Sequence, residues 1–386
     1  MREIIFTNGR IVAGNEEFFG SVVMRDGLIA AVDQGASGVS GAVDLEGDYL
    51  IPGLIDVHSD SLERQFTPRF GVYWPSPLSA AVANDGMMHG CGVTTVLDSI
   101  CAEAFPEEET RRRMFNDAIG AISAGEGAGL FRARHLLHLR CETADPKTPA
   151  ILGEHLDNPL VRLVSLMDHT PGQRQFTDTD KYRKYYKKGW SDEEFAEISK
   201  RLLATQESCA EGNRARIVAL SRERAIPLAS HDDTLAEHVA QAVAEGIAIA
   251  EFPTTLTAAR LARDAGIRIV MGGPNMVRGG SHSGNVSARD LAGEGLLDIL
   301  SSDYVPGSLV AGAFTLHRLG MGLADAVAKI SANPAEAVGL TDRGRVAPGL
   351  RADLVRVREI EGVPAVLRTW SVGCCGTLEM TEKNAA

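Results

Sequence analysis

The chain has 386 residues, a formal net charge of −12 and a hydrophobic content of 44%. This length exceeds that of a typical single domain, and it would accommodate a barrel of about 250 residues beside a smaller accessory unit. The negative charge argues against a nucleic acid or an anionic membrane as a partner. Residues 1–10 contain no long apolar run, so we expect neither a signal peptide nor a membrane span, and we predict a cytoplasmic location.

Short strands are predicted throughout the first 49 residues. Apolar runs there are joined by the turns Asn8-Gly9 and Asp26-Gly27, which are typical of β-hairpins. The chain also contains six cysteines without the spacing of a zinc ribbon, so we expect reduced thiols.

An apolar run from Leu50 ends abruptly in His58-Ser59-Asp60. In a strand, residues i and i+2 lie on the same face, so His58 and Asp60 can converge on one cation while Ser59 points away. The motif therefore predicts half of a metal site.

Seven further apolar runs resemble the first, because each is rich in β-branched residues and ends in a polar one. Near-continuous apolar strands alternating with helical segments are typical of a parallel sheet covered by helices, and eight of them predict a closed (β/α)8 TIM barrel. The eight predicted strands are Leu50–Asp60, Gly92–Ile100, His135–Glu142, Val161–His169, Ile226–Asp233, Gly246–Pro253, Gly266–Pro274 and Leu296–Tyr304.

Helices are predicted between these runs. Periodicity and charge at the ends favour helices over Pro106–Ala124, Ser191–Arg224, Thr254–Ala265 and Leu323–Leu340. Between the fourth and fifth runs, Thr170–Trp190 is predicted to be a basic, tyrosine-rich loop. Loops of this length in a compact domain usually serve a site.

Candidate ligands follow from the barrel, because the active sites of such barrels lie at the carboxyl ends of the strands. The polar residues at those ends are His58, Asp60, Asp98, Glu142, Asp168, His169, His231, Asp232, Asp233, Glu251, Asn275 and Asp303. Three histidines and several carboxylates at one mouth could bind two divalent cations with a bridging carboxylate.

Other interpretations of these residues stay open. A lone barrel histidine such as His169 or His231 is often only a hydrogen-bonded structural residue. Four of the carboxylates could instead be helix caps or partners of the histidines, a role that we favour over direct ligation. These four are Asp98, Asp168, Asp232 and Glu251. For His135 and His138, which come earlier in their run, packing is the favoured interpretation.

A glycine-rich segment follows the seventh run, from Met271 to Asn285. Its backbone N–H groups, together with Arg278, Ser281, His282 and Ser283, predict a phosphate-binding loop, and loops after strands 7 and 8 often bind phosphate in such barrels. A mobile turn that needs positive φ angles is the alternative. Among the basic residues near the expected mouth, arginines are favoured for phosphate because guanidinium binds it bidentately, and they are Arg64, Arg69, Arg174 and Arg278.

Several of these strings together resemble a known family. Leu50–Asp60 resembles the first-strand signature of the amidohydrolase superfamily, Pro-Gly-x-x-Asp-x-His-x-His, with Asp60 in place of the second histidine. Residues 344–355 resemble the carboxy-terminal return strand of that superfamily. The resemblance implies a small β-sandwich of residues 1–49 and 341–386 beside a barrel of residues 50–340.

The match is closer to the diphosphatases of the phosphonate-utilisation branch. It runs through strings such as Ser165–Phe176, Ala229–Asp233 and Val277–Asn285, and it includes Asp60. The resemblance implies hydrolysis of a ribose 1-methylphosphonate 5-triphosphate to the 5-phosphate and pyrophosphate, in the carbon–phosphorus lyase pathway. It further implies a small phosphorylated substrate and, by analogy, a homodimer.

The resemblance also implies the ligand set. Two divalent metal ions would be held by His58, Asp60, Glu142, His169, His231 and Asp303, with Glu142 bridging and Asp303 accepting a proton from the attacking water. We rank zinc first, although the oxygen of Asp60 makes the site harder and favours manganese or iron. The four arginines named above would bind the phosphates, together with Asn275 of the predicted phosphate loop.

Two other functions are weighed against this one. An ordinary amidohydrolase that cleaves a cyclic amide or an N-acyl C–N bond would use the same metals, but it would have little need of Arg69, Arg174 and Arg278. A non-catalytic scaffold would lack metal ligands, and all six are present here.

Overall fold

The computed structural model describes residues 3–103, 108–177, 179–186, 189–281 and 283–372. In this part of the chain the strands are, in order, β1 (Glu3–Ala13), β2 (Glu16–Arg25), β3 (Leu28–Gln34), β4 (Val43–Asp44), β5 (Tyr49–Pro52), β6 (Leu54–Ser59), β7 (Val93–Ala102), β8 (Arg134–Glu142), β9 (Val161–Met167), β10 (Leu228–His231), β11 (Ile249–Glu251), β12 (Arg268–Gly272), β13 (Ile299–Ser301), β14 (Leu354–Ile360) and β15 (Val363–Trp370).

The helices are named in the same way. They are α1 (Ser61–Phe66), α2 (Pro77–Gly90), α3 (Glu108–Gly127), α4 (Thr148–Gly153), α5 (Thr179–Tyr186), α6 (Asp192–Glu223), α7 (Ala236–Ala244), α8 (Leu256–Asp264), α9 (Gly273–Arg278), α10 (Ala288–Gly293), α11 (Ser308–Arg318), α12 (Leu323–Ala328) and α13 (Ala332–Ala337). A short 3-10 turn covers Arg174–Phe176. None of the described helices combines the length and the apolar character that a transmembrane span needs.

Strands β6 to β13 form one parallel sheet in sequence order, which confirms the predicted (β/α)8 barrel. Every residue of β6 and β7 is buried, as expected for strands covered on both faces. The ring closes where β6 meets the end of β13: Asp303 donates its N–H to the His58 carbonyl (3.0 Å) and Asp60 donates to the Asp303 carbonyl (2.7 Å). The seam of the barrel therefore runs through three of the predicted ligands.

Both chain ends build the second sheet, in the order β15-β14-β5-β1-β2-β3, with β4 paired to β1. It encloses its own small core, in which the rings of Phe6 and Trp370 pack edge to face at 4.7 Å. This confirms the predicted unit made from both termini. The division of the chain at residues 49 and 341 stays a prediction.

Three predicted elements differ from the structure. The run from Leu50 to Asp60 is two strands, because β5 belongs to the end sheet and β6 to the barrel. Gly53 lies between them, where a Cβ would collide with Thr94 Oγ1 and approach Asp353 Cβ to 2.7 Å, so only glycine fits the crossing. The predicted helix over 323–340 is broken into α12 and α13, and Pro334 lies in the first turn of the second. The predicted loop over 170–190 contains a 3-10 turn and α5.

Candidate metal centre

A cavity of about 230 Å³ opens at the carboxyl ends of the barrel strands, where the sequence predicts the site. Nine of the predicted site residues line it: His58, Asp60, His169, His231, Asn275, Arg278, Ser281, Ser283 and Asp303. The strands therefore bring five of the six predicted metal ligands to one cavity.

Two of the histidines are held by Glu251, a fully buried carboxylate at the end of β11. His58 Nδ1 lies 2.9 Å from Glu251 Oε1, and His231 Nδ1 lies 3.3 Å from Glu251 Oε2. Because a carboxylate accepts, both rings place their Nδ1–H on Glu251 and turn Nε2 towards the cavity. Although burial acts to raise it, the neighbouring histidines His138 and His58 hold the pKa of Glu251 well below its usual range. Glu251 thus fits the predicted role of partner to the histidines.

Glu142 orients the third histidine in the same manner. Its Oε2 lies 3.0 Å from His169 Nδ1, and both of its oxygens accept from the His169 backbone N–H at 3.3 Å. Glu142 does not line the cavity. This placement behind His169 favours a positioning role over the predicted bridge between two cations, because a bridging oxygen has to face both metals.

His169, His231 and Asp232 form one group of potential metal donors. One ligand atom from each lies within 4.8 Å of the other two. Asp232 Oδ2 is buried without a hydrogen-bond partner, 3.4 Å from His231 Nε2 and 4.0 Å from His169 Nε2. Three such donors around one point are what a catalytic zinc site uses, with the remaining position left for water or substrate. The residues present therefore fit a divalent cation.

Two of the donors stand on unusual backbone. Asp232 and Asp303 have φ angles of 58° and 53°, in the left-handed region that residues other than glycine rarely adopt. Such strain is typical of functional sites, where it directs a side chain that a relaxed backbone would turn elsewhere.

A second group brings together His58, His138 and Glu251, again within 4.8 Å of one another. His138 is fully buried, with Nδ1 3.1 Å from the Val57 carbonyl and Nε2 without a hydrogen-bond partner. Burial lowers the pKa of His138 to about 3. Packing was the predicted role of His138, but the structure also places this ring beside Glu251.

The remaining predicted ligands, Asp60 and Asp303, have pKa values shifted in opposite directions. Burial and the nearby Asp60 carboxylate raise the pKa of Asp303 to about 7. Although burial opposes the shift, Arg140 and His58 lower the pKa of Asp60, whose Oδ1 accepts from Arg140 Nη1 at 2.9 Å. Burial also acts against protonation of His58, but Glu251 and Asp60 raise its pKa to about 10. A proton on His58 and a cation at His58 are thus alternatives.

Part of the predicted phosphate loop lines the cavity, and its binding of phosphate stays a prediction. Arg278 ends α9 as an exposed side chain on the cavity, with Ser281 and Ser283 beyond it. Asn275 also lines the cavity, but its amide holds the loop: it donates to the Val286 carbonyl (3.3 Å) and accepts from the Ala288 N–H (2.9 Å). His282 lies outside the described residues.

Three of the predicted phosphate-binding arginines lie elsewhere. Arg64 is exposed and stacks over the ring of Tyr304 at 5.3 Å, next to the cavity but not in its wall. Arg69 is exposed in the following loop, where its backbone pairs with Val72. Arg174 is buried, with Nη1 bound to the Asp233 carboxylate, the Ser230 hydroxyl and the His231 carbonyl. This pairing argues against the predicted phosphate-binding role of Arg174, because a buried carboxylate already takes up its charge.

Arg174→Met is therefore expected to lower the free energy of unfolding by about 3–5 kcal/mol, because it leaves Asp233 buried and unpaired. Urea denaturation measures this change, and the affinity for pyrophosphate should stay unchanged in the folded variant. The reverse pattern, unchanged stability with weakened pyrophosphate binding, would return Arg174 to the phosphate site.

Two arginines of the cavity wall were missed from the sequence. Arg140 lies on β8 two residues from His138 and two from Glu142, so the two-residue period of a strand places all three on one face. That signal was available. Arg111, on α3, pairs with Glu103 at 2.9 Å, and no spacing in the sequence indicates that α3 reaches the cavity.

Comparison with known proteins gives consistent results. Residues 204–371 match the family described as "Amidohydrolase family". The chain is 42% identical over 375 residues to alpha-D-ribose 1-methylphosphonate 5-triphosphate diphosphatase of Escherichia coli (strain K12), covering 96% of this chain and 99% of the relative. Among solved structures, 5-methylcytosine deaminase from Klebsiella pneumoniae superposes with a TM-score of 0.63 at 15% identity, covering 100% of this chain and 98% of that one. N-isopropylammelide isopropylaminohydrolase from Burkholderia multivorans gives 0.64 at 13%, with 98% of each chain covered. These two structures support the fold alone.

Proposed function

Because the chain belongs to the amidohydrolase family, in the branch of the Escherichia coli diphosphatase, we propose that it cleaves alpha-D-ribose 1-methylphosphonate 5-triphosphate in a metal-dependent reaction. The products are ribose 1-methylphosphonate 5-phosphate and pyrophosphate, and the reaction belongs to phosphonate catabolism by the carbon–phosphorus lyase pathway. The cytoplasmic location and the homodimer stay predictions.

The lining of the cavity is the observation that supports this proposal. The cavity that contains the metal donors His169, His231 and Asp232 is also lined by the exposed Arg278 and by Ser281 and Ser283. A triphosphate carries several negative charges that both a cation and a guanidinium group can bind, whereas the amide bond itself is neutral. The combination therefore favours a phosphoanhydride over an amide.

His169, His231 and Asp232 would hold one divalent cation, and His58 and Asp60 lie beside Asp303 where a second could bind. When bound, the metal supplies a water of lowered pKa and an electrophile for a phosphoryl oxygen. Zinc suits the imidazole nitrogens, while Asp60 and Asp232 add oxygens that manganese or iron also accept.

The chain's own residues perform the remaining steps. Asp303, in its carboxylate form, accepts the proton of the attacking water at Oδ2 or Oδ1. The water oxygen bonds to the phosphorus next to ribose, and the bond from this phosphorus to the bridging oxygen breaks. Pyrophosphate leaves with that oxygen, and Arg278 with the hydroxyls of Ser281 and Ser283 binds its charge.

The function is tested by incubating the metal-loaded protein with the ribose triphosphate and following pyrophosphate and orthophosphate separately. Release of one pyrophosphate per substrate is expected. Orthophosphate as the sole inorganic product would reject the assigned bond. Turnover of a dihydropyrimidine without release of either phosphate would establish the amide alternative instead.

Arg278→Met is expected to raise KM for the triphosphate about tenfold with little change in kcat, because from the exposed rim of the cavity the side chain binds the two terminal phosphates equally before and during cleavage. Steady-state kinetics measures both constants. Arg260→Met is the matched control, since Arg260 is also exposed but pairs with Glu294 outside the cavity. An unchanged KM in the Arg278 variant would remove this residue from the phosphate site.

A further inference from the structure

Asp60, which departs from the His-x-His pattern, is paired with Arg140. Arg140 Nη1 donates to Asp60 Oδ1 at 2.9 Å, and the two side chains are 11% and 27% exposed. The other amino group of Arg140 lies 3.5 Å from His231 Nε2, and Arg140 Nε is buried without a hydrogen-bond partner. A guanidinium among metal donors is unexpected, because it repels a cation bound there.

Each member of this pair also shifts the pKa of the other. Burial acts to lower the pKa of Arg140, and Asp60 is the largest of the influences that raise it. Burial acts to raise the pKa of Asp60, and Arg140 is the largest of those that lower it. Arg111, another arginine of the cavity, is instead paired with Glu103.

We propose that Asp60 and Arg140 form one functional unit that replaces the second histidine of the His-x-His pattern. Asp60 supplies an oxygen ligand, and Arg140 cancels its negative charge and fixes its rotamer. A carboxylate with a paired guanidinium has the net charge of a neutral imidazole, so the cation meets the charge that a histidine would present. This inference rests on the proposed metal dependence and makes Arg140 a positioning residue.

The proposal predicts how the two positions depend on each other. Asp60→His alone restores the His-x-His motif but leaves the Arg140 charge buried and unpaired beside the cation. Asp60→His with Arg140→Met removes both charges and leaves a neutral histidine. The single change should therefore weaken metal binding, and the double change should largely restore it although it alters more of the site.

The experiment measures metal binding without substrate. Metal-free wild type, Asp60→His, Arg140→Met and the double variant are titrated with Zn²⁺ against a chromophoric chelator, and Co²⁺ absorption reports the ligand geometry. We expect Asp60→His to bind Zn²⁺ about 100-fold more weakly than wild type and the double variant to return to within about tenfold of it. Thermal unfolding checks each fold, and Asp60→Asn replaces Asp60→His in the cycle if the latter does not fold.

Arg111→Met is the matched control, because it removes a guanidinium from the same cavity without touching Asp60. Combined with Asp60→His, it should leave the loss of Zn²⁺ affinity in place. If Asp60→His and its combination with Arg140→Met lose the same Zn²⁺ affinity, the proposed unit is overturned and the proposed function still stands. A wild type that binds neither Zn²⁺ nor Co²⁺ would reject the metal dependence itself, and this inference with it.

Discussion

Asp303→Asn is expected to reduce kcat at least about 1,000-fold while the fold persists, because an amide cannot accept the proton of the attacking water. Asparagine has nearly the same shape, so the backbone bonds of residue 303 at the barrel seam can still form. Single-turnover release of pyrophosphate measures the loss, and circular dichroism with thermal unfolding checks the fold. Full activity in this variant would remove Asp303 from the mechanism.

The pH dependence of the wild type gives a second test of the same residue. Burial and Asp60 raise the pKa of Asp303 to about 7. The carboxylate is the active form, so kcat/KM should fall as the pH drops through the pKa and the side chain takes up a proton. A bound cation would stabilise the carboxylate and move this acid limb to lower pH. The control is Asp168→Asn, because Asp168 is a buried carboxylate outside the cavity wall, where it accepts from the Thr170 N–H (3.0 Å) and Gln206 Nε2 (3.0 Å).

Glu251→Gln is expected to weaken metal binding about 10–100-fold and to reduce turnover with it. Glutamine offers one acceptor and one amino donor, so it can accept from only one of His58 and His231 and faces the other with a repelling N–H. That ring has to rotate or change tautomer, and its Nε2 no longer presents a lone pair to the cation. Competitive titration with a chelator measures the affinity.

Glu142→Gln is the comparison for this variant, because Glu142 contacts His169 and neither of the other two histidines. It should weaken metal binding less than Glu251→Gln does, because it disturbs one imidazole ring and not two. Equal metal affinity in wild type and Glu251→Gln would show that the rings are held by other contacts.

The barrel strands were predictable because burial on both faces leaves a continuous apolar run in the sequence. Their polar ends were predictable for the same reason, and five of the six expected ligands reach the cavity. The split at Gly53 was missed, because β5 and β6 are both apolar and nothing local indicates that they belong to different sheets.

The contacts between side chains of the site were harder to predict. His58 and Glu251 are separated by 193 positions along the chain, so their contact depends on how eight strands align around the ring. Arg174 and Asp233 show the same difficulty: each is a plausible site residue by type, and only the folded chain shows that they bind each other. Arg140 was the avoidable omission, because the strand period already placed it on the face of His138 and Glu142.

The seam of the barrel has a consequence for every experiment on this centre. The backbone groups of His58, Asp60 and Asp303 join the first strand of the barrel to the last, and the side chains of the same residues line the cavity. A cation bound by side chains from both sides of this seam would link the first strand to the last and should stabilise the closed barrel. Variants at these three positions alter closure and chemistry together, so a loss of activity there has to be judged beside the integrity of the ring.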